Sequence, residues 1–287
     1  MTPAIDVDAY LERIGYNGGR TATLDTLRAI HVRHAQAIPF ENLNPLLGRP
    51  VRLDAHSLQQ KLVFGGRGGY CFEQNLLLSH ALKGLGFRVV ELAARVLWNT
   101  PQGVVRPRSH MLLLVDLEGG PYIADVGFGG LTLTGPLRLE PDTEQATPHG
   151  PFRLIPPSPG FGAAGSSGQE FVLQALIGDA WRPLYCFGLQ EQLLADYEVT
   201  SWYLSNHPES QFVTTLMAAR AEPDRRYALR NNQLAVYHRD GRTEQRVLTS
   251  AAEMRETLDR LFQVRLLDAP ELDAILTRLI AQSAAIV

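Results

Sequence analysis

Between Phe87 and Gln190 the chain breaks into seven short apolar runs: FRVVELAARVLW, HMLLLVDL, PYIADVGF, GPLRL, PFRLI, EFVLQAL and RPLYCFGL. Gly, Pro and Asp cut them apart. Runs this short, rich in β-branched and aromatic residues and closed by turn formers, read as antiparallel strands of a barrel or sandwich. The texture before them is different. Asp8 to Ile14, Thr21 to Ala37 and His56 to Val63 carry apolar residues three or four apart, the spacing of amphipathic helices. A fourth helix is expected from Cys71 to Gly84 or Gly86. Between them IPFENLNPLLGRP reads as loop, with Pro39, Pro45 and Pro50 as breakers.

After Gln190 the pattern mixes. EQLLADYEVTSWYLSNHPES begins helical and ends in a turn, and QLAVYHRDGRTEQRVL reads as a hairpin turning at Asp240-Gly241. AAEMRETLDRLFQ and APELDAILTRLIAQ read as two amphipathic helices. PPSPGFGAAGSSGQ, residues 156–169, is Gly-, Ser- and Pro-rich and reads as a surface loop. With 287 residues there is length for two or three domains and sizeable cores.

Charge excludes several classes of partner. The formal charge is -3, from 27 basic and 30 acidic residues, so no basic field is available for nucleic acid or an anionic membrane surface. No apolar run reaches the roughly 18 residues of a membrane helix. MTPAIDVDAYLER does not read as a signal peptide. Two cysteines make no disulfide framework, and no Cys/His cluster has zinc spacing, so neither a metal nor an oxidising compartment is expected. The expectation is a reduced, cytoplasmic protein.

One cysteine is placed for chemistry. In GGRGGYCFEQN four glycines and Arg67 lead to Cys71, where the helix begins. A thiol at a helix N-terminus faces unpaired N–H groups and the positive end of the helix dipole, and both stabilise an anion. The glycines allow a sharp turn and close approach of a substrate. Cys186, inside RPLYCFGL, reads as a buried structural thiol.

A nucleophilic thiol wants a base. Of eight histidines, His31, His34 and His80 sit in helical runs and read as helix-surface residues. His56 lies near a helix start, His149 in a Pro-Gly turn and His238 before the DG turn. His110 differs, because it opens the apolar strand HMLLLV while the next strand, YIADV, carries Asp125. A two-residue turn at Glu118-Gly119 pairs Leu117 with Gly120. His110 and Asp125 then become diagonal neighbours on one sheet face, about 7–8 Å apart in backbone. A turn at Gly119-Gly120 separates them. Spacing alone leaves both registers open, although the first gives a buried aspartate the partner its burial demands. Cys71, His110 and Asp125 would then form nucleophile, base and orienter of the base.

Five stretches, IPFENL, GGRGGYCFEQN, RSHMLLLV, YIADVGFGG and SWYLSNHPESQF, resemble motifs of the arylamine N-acetyltransferases, in family order and across nearly the whole chain. The resemblance implies an α+β fold: a helical domain over 1–86 carrying the nucleophile, a β-barrel domain over 87–190 carrying His and Asp, and a mixed α/β lid domain over 191–287. It implies Cys71, His110 and Asp125 as catalytic triad, acetyl-CoA as co-substrate and an arylamine or arylhydrazine as acceptor. Carried over by position, Phe128, Gly129 and Gly130 would contact the CoA donor, and Arg67 would support the triad structurally. Phe40 and Trp98 are candidate acceptor-pocket aromatics. The expected reaction is ping-pong acetyl transfer through acetyl-Cys71. An amide synthase of the same family with another acyl donor, or a transglutaminase- or papain-like cysteine hydrolase, are the rival readings.

Overall fold

The computed structural model describes residues 5–101, 103–157, 169–266 and 268–284. In chain order the first elements are α1 (Val7–Arg13), α2 (Leu24–Ala37), β1 (Phe40–Glu41), α3 (Leu43–Leu46), α4 (Ala55–Leu58) and α5 (Cys71–Gly84). Then come β2 (Arg88–Val96), β3 (His110–Leu117), β4 (Gly120–Ala124), β5 (Leu137–Arg138), β6 (Glu144–Thr147), β7 (Gly150–Ile155), β8 (Glu170–Ile177) and β9 (Ala180–Glu191). The last are α6 (Leu194–Asn206), α7 (Gln211–Thr214), β10 (Met217–Glu222), β11 (Arg225–Arg230), β12 (Gln233–His238), β13 (Thr243–Val247), α8 (Ala251–Arg260) and α9 (Pro270–Ala284). The loop expected at 156–169 lies, but for its ends, outside the described residues.

The eight strands β2 to β9 form one antiparallel sheet, in the order β5-β4-β3-β2-β9-β8-β7-β6. It curls until it is nearly closed. No ladder joins β5 to β6; instead the Gln145 side chain bridges the gap, accepting from the Arg138 N–H (2.7 Å) and donating to the Arg138 carbonyl (2.9 Å). The barrel expected from the sequence is therefore barrel-like. Its inside is filled by Leu92, Leu112, Ile123, Leu154, Phe171, Tyr185 and their neighbours.

Strand β3 explains why HMLLLV has no polar alternation. Leu112 faces the barrel interior, while Met111, Leu113, Val115 and Leu117 face outward and join the core shared with α1, α2 and α5. Alternate side chains point to opposite faces, and here both faces are buried. Helix α5 lies on this outer face, with Phe72, Leu76, Leu77 and Leu78 in the shared core.

The remaining sheet has the order β1-β10-β11-β12-β13, with α8 and α9 burying Met254, Leu258, Leu272 and Leu276 against it. Its first strand corrects the reading of IPFENLNPLLGRP as plain loop. Phe40 pairs with Ala219 and Glu41 with Ala218, and the segment also holds α3. Two features of the early helices also differ from expectation. Residues Gln59–Phe64 continue α4 as a π-helix. His31 and His34, expected on the surface of α2, are fully buried. His34 is bonded to the Tyr10 hydroxyl (2.9 Å) and to Gln74 Oε1 (2.7 Å).

Candidate active site

The β3–β4 hairpin takes the first of the two possible registers. Leu117 pairs with Gly120 and Leu113 with Ala124, so Asp125 emerges from β4 level with the start of β3. His110 Nε2 lies 2.7 Å from Asp125 Oδ2, and both side chains are buried.

Asp125 is held from every side. Its Oδ1 accepts from Asn75 Nδ2 (2.9 Å) and from the Gly127 N–H (2.8 Å). Its own N–H donates to His31 Nε2 (3.2 Å), and its carbonyl accepts from Thr132 Oγ1 (3.1 Å). Asn75 further donates to the Met111 carbonyl (2.7 Å) and accepts from the Val126 N–H (3.0 Å). Burial alone would push the Asp125 carboxyl up. The His110 charge and these donors outweigh it, and the carboxyl titrates below its ordinary value.

Cys71 is the first residue of α5, one turn before Asn75 on the same helix face. The thiol is buried, 3.7 Å from the Ser109 carbonyl. The turn before it is pinned. A Cβ on Gly68 would sit 1.9 Å from the Pro39 carbonyl oxygen, so only glycine fits there. Glu73 closes the helix start, its Oε2 accepting from the Tyr70 N–H (3.1 Å). Arg67 is buried and gives two bonds to Glu41 Oε1, from Nε (3.0 Å) and Nη2 (2.7 Å).

With Nε2 taken by Asp125, Nδ1 is the His110 nitrogen left for the thiol. Burial opposes the imidazolium, but the Asp125 charge, the Asp125 hydrogen bond and a hydrogen bond with Cys71 raise the His110 pKa to about 10. Two other buried histidines behave oppositely. Burial is the main cause holding His31 at about 3 and His34 at about 4. His31 also feels the Asp125 charge, but of the three His110 alone bonds the carboxylate directly and has Cys71 beside it.

Aromatic rings wall the pair. The Phe128 ring centroid is 5.1 Å from that of His110, edge-on, and Tyr185 is 4.9 Å away. After Phe128 the chain makes a short 3-10 turn over Gly129–Leu131. Gly129 has φ +79°, a left-handed conformation, and faces the Phe40 ring at 3.8 Å from a built Cβ. Phe128 thus lies beside His110, and the Gly129 that follows it meets the Phe40 ring. Gly130 follows in the same turn, with Ala228 of β11 against it. Trp98 packs against the same barrel core as Phe128 and Tyr185, its backbone N–H donating to the Leu184 carbonyl.

The sequence reading missed several contributors. Asn75 was visible as the residue four after Cys71. His31 carried no signal, since its value depends on reaching the Asp125 backbone. Arg226 of β11 was also hidden. It is buried, and its Nη1 donates to the Thr132 carbonyl (2.8 Å) and the Gly130 carbonyl (3.4 Å), fixing the glycine turn. Among the described residues no group of three or more His, Cys, Asp or Glu could hold a metal, and no helix is long and apolar enough to cross a membrane.

The fold and this site define the class of N-acetyltransferases, and the family model of that description matches residues 23–270. The arylamine N-acetyltransferase of Mycobacterium tuberculosis is 45% identical over 280 residues, 96% of this chain and 95% of its own. The solved Mycobacterium smegmatis arylamine N-acetyltransferase superposes with a TM-score of 0.89 at 42% identity, covering 96% of this chain and 99% of that one. The Mycobacterium marinum enzyme, solved in complex with CoA, gives 0.88 at 41% with the same coverage. The chain belongs to the arylamine N-acetyltransferase family and is an acyltransferase.

Proposed function

We propose that this chain transfers an acetyl group from acetyl-CoA to the nitrogen of an arylamine or arylhydrazine by a ping-pong mechanism, with acetyl-Cys71 as intermediate. The observation that carries this reading is the 2.7 Å contact of His110 with Asp125, with Cys71 at a helix start on the imidazole's other side. A CoA complex of the Mycobacterium marinum relative supports the donor.

The steps follow from the geometry. His110, protonated at neutral pH, supports a thiolate at Cys71. The thiolate attacks the acetyl carbonyl carbon. The oxyanion meets the Cys71 N–H, one of the first-turn donors that have no intrahelical acceptor. The C–S bond to CoA breaks, and His110 gives the leaving thiolate its proton. Exchanging one thioester for another costs little. A neutral arylamine then attacks acetyl-Cys71, the now neutral His110 removes its proton, and the Cys71 thiolate leaves. Asp125 keeps Nε2–H in place, so Nδ1 is the working nitrogen throughout.

Phe128, Gly129 and Gly130 are assigned to the donor, because the glycine turn beside His110 lets the pantetheine arm approach the backbone. Phe40 and Trp98 are assigned to the acceptor pocket, Trp98 packing on the same cluster as Phe128 and Tyr185. Phe40, Phe128 and Tyr185 keep water from the acetyl-enzyme. The division into a helical unit over 1–86, a barrel unit over 87–190 and a mixed unit over 191–287 belongs to the same proposal, as does a reducing, cytoplasmic setting that keeps Cys71 a free thiol.

Initial-rate kinetics test the mechanism. Varying acetyl-CoA at several fixed arylamine concentrations should give parallel double-reciprocal lines. Mixing with acetyl-CoA alone should release about one CoA per enzyme. Intersecting lines with no CoA release before amine is added would rule the mechanism out.

A further inference from the structure

A cavity of about 750 Å3 lies beside the first turn of α5, and Cys71, His110 and Asp125 do not line it. Five cationic side chains do: Arg49, Arg52, Lys61, Arg67 and Arg265, against the carboxylates of Glu73 and Asp268. Two of the cations are already paired. Lys61 Nζ is 2.7 Å from Glu73 Oε1 and 3.8 Å from Glu41 Oε1, and Arg67 Nη2 is 2.7 Å from Glu41 Oε1. Arg49, Arg52 and Arg265 make no side-chain hydrogen bond or ion pair with the described residues. With Glu41 beneath the floor counted, the site keeps a surplus of two positive charges, in a chain whose formal charge is -3.

The frame around these arginines is tied together. The Arg265 N–H donates to the Gly66 carbonyl (3.0 Å) and the Arg67 N–H to the Lys61 carbonyl (3.2 Å). Asn44 Nδ2 donates to the Pro50 carbonyl (3.1 Å), which holds the loop bearing Arg49 and Arg52. One wall is the π-helix Gln59–Phe64. Such helices are rare and often occur at functional sites.

Arg49, Arg52 and Arg265 line one space without carboxylate partners of their own among the described residues, so an anion among them gains attraction to all three. Their planar forks match phosphate oxygens two at a time. The volume falls within the roughly 300–1,000 Å3 of small-molecule sites. We propose that this cavity is a second ligand site, separate from the acyl-transfer site, that binds a phosphorylated small molecule through Arg49, Arg52 and Arg265. The shared chemistry is the phosphate group, and its sources are the phosphates of a second CoA molecule or an unrelated organic phosphate.

Titration calorimetry of the full chain with inorganic pyrophosphate tests the site. Wild type should bind it saturably. Arg49→Gln and Arg265→Gln should each weaken binding about tenfold, the effect of losing one charged hydrogen-bonding group. Neither arginine is paired, so neither variant should lose thermal stability or acetyl transfer. Arg28→Gln, which removes the same charge from α2, should leave binding unchanged. Repeating the titration with saturating CoA separates the sources: competition that depends on Arg49 and Arg265 identifies CoA, and its absence identifies another organic phosphate. No saturable binding overturns the proposal, as does equal affinity in wild type, Arg49→Gln and Arg265→Gln, or an equal loss in Arg28→Gln.

Discussion

Replacing Asp125 by Asn is the sharpest perturbation of the triad. The side chains are nearly isosteric, and Asn Oδ1 can still accept from Asn75 Nδ2 and the Gly127 N–H, so the fold should survive. The group facing His110 Nε2 then becomes an amide N–H donor. Nε2 must accept instead, which moves the remaining imidazole proton to Nδ1 and points it at Cys71. That tautomer cannot take a proton from the thiol. The charge effect can be sized within the molecule. Burial is the largest cause holding His34 at about 4, whereas Asp125 and Cys71 carry the equally buried His110 to about 10. Losing the Asp125 charge therefore lowers the His110 pKa and shrinks the imidazolium population at neutral pH. Turnover should fall about 10²-fold or more, in line with the usual contribution of a positioned base. The assay is iodoacetamide alkylation of Cys71 across pH, alongside steady-state turnover. Asp125→Asn should alkylate more slowly than wild type at neutral pH, because the imidazolium beside the thiol loses its support. A folded Asp125→Asn enzyme with the wild-type alkylation profile and near-normal turnover would refute the reasoning.

Three further outcomes follow from the same contacts. Stability should peak near pH 6.5. The raised His110 contributes fully below about 6.5 and loses its contribution as pH rises toward about 10. His31 and His34 are kept neutral by burial, so below about 6.5 the unfolded chain binds more protons and stability falls again. Urea unfolding at pH 5, 6.5 and 8.5 checks this, and a steady rise from pH 5 to 8.5 would contradict the His110 assignment. Arg67→Ala should destabilise the protein by about 3–5 kcal/mol, because it leaves the buried Glu41 carboxylate with Lys61 at 3.8 Å as its remaining cation; a loss under about 1 kcal/mol in the same urea assay would show that Glu41 finds other support. Gly129→Val should raise the KM for acetyl-CoA while leaving alkylation of Cys71 intact, since it strains a left-handed turn and crowds the Phe40 ring. An equal loss in both assays would place the defect in the triad instead.

Much of this site was legible because its determinants are local. A glycine turn before Cys71 and Gly84 at the far end bracket α5 as the sequence suggests. Alternation and turn length reduced the β3–β4 hairpin to two registers, and packing of Asp125 against Asn75 and His31 selects one. What escaped depends on partners distant in the chain. Phe40 pairs with Ala219, so no local pattern marks β1 as a strand. His31 and His34 looked like helix-surface residues because α2 is covered on a face whose partners, Tyr10, Gln74 and Asp125, come from three other segments. Strand β6, EQAT, is polar because it lies at a sheet edge, and it was not read as a strand. Arg226 drew no reading from RRYALR, because its burial depends on the turn after Phe128, a segment far away in the chain.

The central claim is that Cys71 carries the acetyl group between donor and acceptor. Mass spectrometry of the intact and digested protein after incubation with acetyl-CoA, with no amine present, tests it most directly. One acetyl group should appear on the peptide containing Cys71, vanish on adding an arylamine, and be absent from Cys71→Ala. An acetyl group on Cys186, or an unmodified Cys71 in enzyme that still turns over with amine, would contradict the account.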